Sequence, residues 1–230
     1  MSFKEDLESK VHDILASQWE TRSGIVVPEP ENLKLSNDGV ELEGTVLYAD
    51  MDGSTRMVDE HGPKFCAEVY KAFLYCAGEA IRAEGGVITA YDGDRVMAIF
   101  IGDRKNTSAA KAALKLNYCA KQILNPAIAA QYPKAGFTLK HTVGIDTSNL
   151  LVARTGVWGA NDLVWVGRAA NYAAKLTELD SAYPTWITKS VHSALNEEAK
   201  STNGKSMWEA MIWKTMKDLP IYRSTWWWPV

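Results

Sequence analysis

The chain has 230 residues, 47% hydrophobic and 23% charged, a balance that excludes an intrinsically disordered polymer and supports a full core without disulfide staples. Its net charge of −3 lacks the basic excess of a general nucleic-acid binder, so no DNA partner is expected. No run approaches the ~20 apolar residues of a membrane span, and the charged start MSFKEDLESKVHDILASQW holds no signal-peptide core, which makes the cytoplasm the expected location.

From the start, Phe3 to Trp19 sets Phe3, Leu7, Val11, Ile14 and Leu15 at helical spacing and predicts an amphipathic helix. Thr21 to Asn37, with Pro28-Glu29-Pro30 among Ser, Gly and Asn, reads as a surface linker, so residues 1–40 form an N-terminal helix and linker ahead of a main domain over 41–230. Thr45 to Ala49 is a strand that stops at the polar turn Asp50-Met51-Asp52-Gly53-Ser54-Thr55. Lys64 to Glu84 steps its apolar residues by three or four and ends at Gly85-Gly86, predicting a helix. Val87–Tyr91 and Arg95–Ile101, joined by Asp92-Gly93-Asp94, predict a hairpin with Asp94 near its tip.

Thr107 to Leu124 predicts a second helix, interrupted by Asn125-Pro126, and Phe137 to Asp146 a strand. The order β-α-β-β-α-β predicts an α+β, ferredoxin-like domain with two helices on one face of an antiparallel sheet. Added C-terminal elements follow: a strand at Leu163–Val166, a helix from Arg168 to about Leu179, a β-helix pair through Ala199 and a hairpin over Met207–Trp228. Cys66, Cys76 and Cys119 read as buried thiols, and the four scattered histidines make no metal motif. The nine tryptophans read as core or subunit contact.

Asp50 closes one strand and Asp94 lies on the hairpin expected alongside it. Adjacent strands lie about 4.8 Å apart, so the two carboxylates can meet around hard cations of the Mg²⁺ type. On spacing alone Asp52-Gly53 and Asp92-Gly93-Asp94 also read as ordinary turns, where Asp is common for its local hydrogen bonds.

Four ordered blocks carry a family resemblance: Val46 to Thr55; Gly85-Gly86 with Tyr91 to Phe100; Val143-Gly144-Ile145-Asp146; and Val166-Gly167-Arg168-Ala169-Ala170-Asn171-Tyr172-Ala173-Ala174-Lys175-Leu176. Together they resemble the signature blocks of class III nucleotidyl cyclases, over about Thr45 to Tyr222. The resemblance implies that a nucleoside triphosphate's 3′-hydroxyl attacks its own α-phosphate, with two Mn²⁺ or Mg²⁺ ions per site. It assigns Asp50, Asp94 and the Met51 backbone carbonyl to the metals, and Gly53, Ser54 and Thr55 to the phosphates. Asn171 matches the residue that orients the ribose. Lys175 stands where the family has a transition-state arginine, keeping the charge without the bidentate fork. Lys214 resembles the late lysine that binds the triphosphate.

Adenylyl cyclases of this family read adenine with a lysine four residues before the second metal Asp and an Asp or Thr seven before the helix Asn. Here those places hold Ala90 and Val164, which make no directional hydrogen bonds. That combination resembles the pyrimidine cyclases of bacterial Pycsar anti-phage defence, with Tyr91, Arg95, Trp165 and Arg168 as further base-pocket candidates. The resemblance implies a homodimer with shared sites, UTP as substrate and a separate cyclic-nucleotide-binding effector. Alternatives are a cytidylate cyclase, an adenylate cyclase, and a non-catalytic nucleotide sensor.

Overall fold

The computed structural model describes residues 2–230, so only the first residue of the expected 1–40 segment lies outside it. The elements begin with α1 (Phe3–Ala16), β1 (Glu20–Ser23), β2 (Asp38–Asp52), α2 (Ser54–Glu60), α3 (Pro63–Ala83), β3 (Val87–Asp92), β4 (Arg95–Phe100) and α4 (Lys105–Tyr118). A π-helical segment at Cys119–Leu124 leads into α5 (Asn125–Gln131), β5 (Lys140–Val157), β6 (Ala160–Val166), α6 (Arg168–Leu176), β7 (Thr185–Thr188), α7 (Lys189–Ser193) and α8 (Glu197–Lys200). The two-residue strands β8 (Ser201–Thr202) and β9 (Lys205–Ser206) precede β10 (Glu209–Trp213), a 3-10 turn at Lys214–Met216 and β11 (Leu219–Ser224). The chain forms two compact units, one from the residues up to Glu43 with Asn149–Gly167, the other from Gly44–Ser148 with Arg168–Val230.

In the larger unit the sheet order is β10-β11-β7-β5-β2-β4-β3. Within it, the four strands of the βαββαβ unit stand in the order fourth, first, third, second, and the α+β expectation holds. The sheet is mixed rather than wholly antiparallel, because β5 and β7 pair in parallel. A parallel partner needs a long crossover, and the chain between β5 and β7 supplies it.

α3 buries Phe65, Val69, Phe73, Ala77 and Ile81, and α4 an alanine-rich face, against Leu47, Ala49, Met51, Val96, Ala98 and Phe100 from one face of the sheet. Pro63 opens α3 where a missing N–H costs nothing, and Gly85 (φ +78°) follows its end, its N–H donating to Arg82 O at 3.0 Å. Asn125-Pro126 does not end the next helical run. The π segment resets the helix so that Pro126 falls in the first turn of α5, where it is tolerated. The expected C-terminal hairpin pairs only from Glu209 opposite Arg223 to Trp213 opposite Leu219. Beyond it Trp226 and Trp228 lie along α4: Asn117 Nδ2 donates to Trp226 O at 2.6 Å, Trp228 N to Leu114 O at 3.0 Å, and Lys111 Nζ sits 5.1 Å from the Trp228 ring centre.

In the smaller unit, Glu20–Ser23 pairs in parallel with Asp38–Glu41, so part of the expected linker is a strand. Its loop is anchored by buried Asp38, which accepts from Arg22 Nη1 at 2.5 Å and from the Lys34 backbone N–H at 2.9 Å. Helix α1 forms with a Ser2–Glu5 capping box yet buries none of its residues, so its apolar stripe of Phe3, Leu7, Val11, Ile14 and Leu15 is exposed.

His141 lies buried on β5 near the Phe73 ring, and burial pulls its pKa from 6.5 to about 4. Its contribution to stability is complete above pH 6.5 and is lost as the pH falls towards 4, because the unfolded chain takes up the proton first. The loss is about 1.4 kcal/mol per pH unit. Urea unfolding at pH 7 and pH 4.5 should show a smaller acid-induced loss in His141→Gln than in the native chain.

Candidate active site

Six consecutive pairs join β2 to β4, from Thr45 opposite Phe100 to Asp50 opposite Arg95. Because side chains alternate, Leu47, Ala49 and Met51 face the helices and Tyr48 and Asp50 the other side, together with Arg95 and Met97. Arg95 Nη2 meets Asp50 Oδ2 at 2.6 Å, and the guanidinium lies 5.9 Å from the Tyr48 ring centre. Burial pushes the Asp50 carboxyl up, Arg95 pulls it down, the nearby charge of Asp94 pushes it further up, and the Met51 backbone N–H opposes that. Asp94 follows Gly93, whose φ of +60° gives the two-residue hairpin loop the positive angle it needs.

At the end of β2, Gly53 adopts φ +73° and turns the chain into α2, setting Ser54 and Thr55 in the first turn of that helix. Tyr70 of α3 reaches this turn: burial and the charge of Asp94 raise its pKa, while a hydrogen bond with Ser54 lowers it. Ser181 Oγ, from the loop after α6, donates to Asp52 Oδ2 at 2.6 Å.

Asn171 and Lys175 share the exposed side of α6, whose other side buries Ala169, Ala170, Ala173 and Leu176. Leu176 clusters with Trp186, Trp213 and Ile221, and the Tyr172 ring meets Trp213 edge-on at 5.9 Å. Lys214 follows Trp213 and is exposed. In the sheet, β10 stands four strand positions from β2, on the order of 19 Å at the usual strand spacing. The structure thus brings Asp50, Asp94, Arg95 and the Gly53 turn together, and holds Lys214 apart from them.

Of the base-pocket candidates, Ala90 lies opposite Met97, which itself lies opposite Tyr48, so Ala90 shares the Asp50 face. Tyr91 pairs with Val96 on the helix-covered face, its hydroxyl over Gly78, and is thereby placed away from Asp50. Arg168 is likewise committed elsewhere: its Nε and Nη2 meet the buried Asp146 carboxylate at 3.0 and 3.2 Å. Val164 and Trp165 belong to β6 of the smaller unit, where they pair with Ala153 and Val152.

The chain is 55% identical to a uridylate cyclase of Xanthomonas perforans and 51% identical to one of Burkholderia cepacia, each match covering 100% of both chains. A uridylate cyclase of Rhodovulum sp. is 40% identical over 99% of this chain and 98% of its own. The chain belongs to the uridylate cyclase family. It is a nucleotidyl cyclase with the class III catalytic fold. A bacterial light-regulated adenylyl cyclase superposes with a TM-score of 0.70 at 18% identity over 85% of this chain and 54% of its own. The guanylyl cyclase Cya2 superposes at 0.68 and 18% identity over 81% and 93%. No family model matches the sequence.

Among the described residues, no cluster of three or more His, Cys, Asp or Glu side chains makes a ready metal cage, and no helix is long and apolar enough to cross a membrane. Asp50 and Asp94 lie near enough for the charge of one to raise the pKa of the other. Two mutually repelling carboxylates are oxygen donors of the kind Mg²⁺ and Mn²⁺ take alongside substrate phosphates, so the residues fit such an ion. Tyr48 and Tyr70 escaped the sequence reading because their apolar rings in an apolar run and a helix read as core. Ser181 escaped because nothing near it in the sequence signals a contact with Asp52.

Arg95 occupies a carboxylate oxygen that a metal would also use. Calorimetric titration of nucleotide-free protein with Mn²⁺ should therefore find Arg95→Met binding about two- to five-fold tighter than the native chain, the range of a partly exposed ion pair. Asp50→Asn should abolish that binding.

Proposed function

We propose that the enzyme converts UTP to 3′,5′-cyclic UMP and pyrophosphate as a homodimer with shared sites. The observation that carries the substrate is end-to-end identity of 40–55% to three uridylate cyclases. In the reaction the ribose 3′-oxygen bonds to the α-phosphorus as the bond from that phosphorus to the departing pyrophosphate breaks. Two Mn²⁺ or Mg²⁺ ions held by Asp50, Asp94 and the Met51 carbonyl would acidify the 3′-hydroxyl and neutralise phosphate charge. Backbone N–H groups of Gly53, Ser54 and Thr55 hold the β- and γ-phosphates, and Lys214 adds a cation to the same triphosphate. Asn171 orients the ribose, and Lys175 meets charge gathering on the α-phosphate. Ala90 and Val164 offer a purine no directional bond, whereas Arg95 and Tyr48 are polar groups on the Ala90 face suited to the edge of a smaller base.

Two features support a second copy. Lys214 stands four strand positions from the strand that carries Asp50, too far to serve the same triphosphate within one chain. Helix α1 leaves its apolar stripe exposed, although isolated helices of this length are marginal in water. A pyrimidine cyclic nucleotide so made in the cytoplasm is a second messenger for a separate cyclic-nucleotide-binding effector in anti-phage defence.

Purified enzyme with Mn²⁺ and each of ATP, GTP, CTP and UTP should yield cyclic UMP from UTP, identified by chromatography and mass. Cyclic CMP or cyclic AMP as the main product would refute the base assignment. Asp50→Ala or Asp94→Ala should abolish turnover without lowering the secondary-structure signal. Co-refolding Asp50→Ala with Asn171→Ala in equal amounts should restore about a quarter of native activity, because half the dimers are mixed and each of those carries one intact site. No restoration would rule out shared sites.

A further inference from the structure

Asp146 has no solvent exposure, yet it keeps a carboxylate inside the protein. Buried acids are retained only where they are paired, and here Arg168 Nε and Nη2 bond it at 3.0 and 3.2 Å while Thr188 Oγ1 donates at 2.5 Å. The same guanidinium continues to Thr147 O at 2.8 Å and Ser190 Oγ at 3.2 Å, joining β5, β7 and the start of α7. Arg168 is also the first residue of α6, where a positive charge opposes the helix dipole. A cation at that end is explained by its partner rather than by the helix.

A second contact fixes the same helix further along. Gly144 lies two residues before Asp146 on the same face of β5, and a Cβ there would come within 2.1 Å of Ala173 O. The helix is therefore registered on the strand at two points, Arg168 on Asp146 and Ala173 on Gly144. Ser148 Oγ also accepts from the Ala169 N–H at 3.0 Å, tying down the first turn. Asn171 and Lys175 stand three and seven residues after Arg168, along one side of this anchored helix.

We propose that Asp146, through Arg168, is the positioning device that sets α6 so that Asn171 and Lys175 meet the reacting ribose and phosphate. The proposal rests on the reading above in which those two residues touch the substrate. Its chemistry is geometric: a helix free to shift or rotate by 1 Å at its first turn carries both side chains out of reach of the transition state while the metal carboxylates on β2 and the hairpin stay in place. Arg168 therefore touches no substrate and is not a catalytic residue.

The test is a set of kinetic cycles on the full-length enzyme with UTP and Mn²⁺. Arg168→Met should lower kcat by about ten- to a hundred-fold with KM for UTP within about three-fold, since the loss arises in the transition state. Arg168→Lys, which keeps one bond to Asp146, should recover part of that loss. In combination with Asn171→Ala or Lys175→Ala, Arg168→Met should cost no more than about two-fold beyond the single change, because it acts through those residues. Additive losses in both combinations, or a kcat loss that follows only the fraction unfolded by thermal melting, would overturn the proposal, as would native kcat in Arg168→Met. Should Arg168→Met fold poorly, Thr188→Val removes one bond to Asp146 and is subject to the same non-additivity test. If Asn171→Ala and Lys175→Ala each keep native turnover, the assignment of α6 to the substrate has failed, and the positioning proposal falls with it. That outcome differs from one in which those variants are inactive and Arg168→Met is native.

Discussion

The register between β2 and β4 is the constraint on which the site depends. Side chains alternate along a strand, so a slip of one residue would turn Tyr48 and Asp50 into the helix-covered core and expose Leu47, Ala49 and Met51. The burial of those three against α3 and α4 sets the register, and the same burial leaves Asp50 half-covered on the opposite face, opposite Arg95. The Asp50 carboxylate, the candidate metal ligand, is thus placed by the packing of apolar neighbours. Burial and the charge of Asp94 push its carboxyl up, and the ion pair with Arg95 pulls it down.

The same sheet separates groups as well as gathering them. Strand order is not chain order: β2 is flanked by β4 and β5, while β10, which ends at Trp213 just before Lys214, lies at the far edge. α6 lies over β5 and β7 on the side opposite α3 and α4, held by Gly144 beneath its middle and Asp146 beneath its start. The site therefore reads as two rigid pieces, one built from strand ends and one from a helix docked on the sheet.

Local signals were legible where they carried their own geometry. Gly85-Gly86 follows the end of α3, and Gly93-Asp94 forms the tip of the expected hairpin. β1 was not legible, because Glu-Thr-Arg-Ser has no apolar alternation and gains its order only by pairing with Asp38–Glu41. Pro126 was read as a break because its position in a new first turn depends on the π segment before it. The sequence predicted α1 as an amphipathic helix, and only the fold shows that its apolar stripe is left exposed among the described residues. Arg168 resembled a base contact for a similar reason: a charged residue beside a functional motif is ambiguous until its partner, distant in sequence, is seen.

Taken alone, the sequence determined the element order of the βαββαβ unit and the α+β class, while its resemblance to class III cyclases supplied the candidate site: two acids, an amide and a cation four residues apart on one helix, and apolar residues where purine readers would stand. Element order and class are local properties, set by periodicity, turn residues and side-chain type. Only the tertiary structure decided that Arg95 bridges Asp50, that Tyr91 turns to α3 and Arg168 to Asp146, and that Lys214 lies four strands from Asp50. Each of those depends on pairing between residues far apart in the chain, whose register follows from burial and hydrogen bonding across the whole sheet.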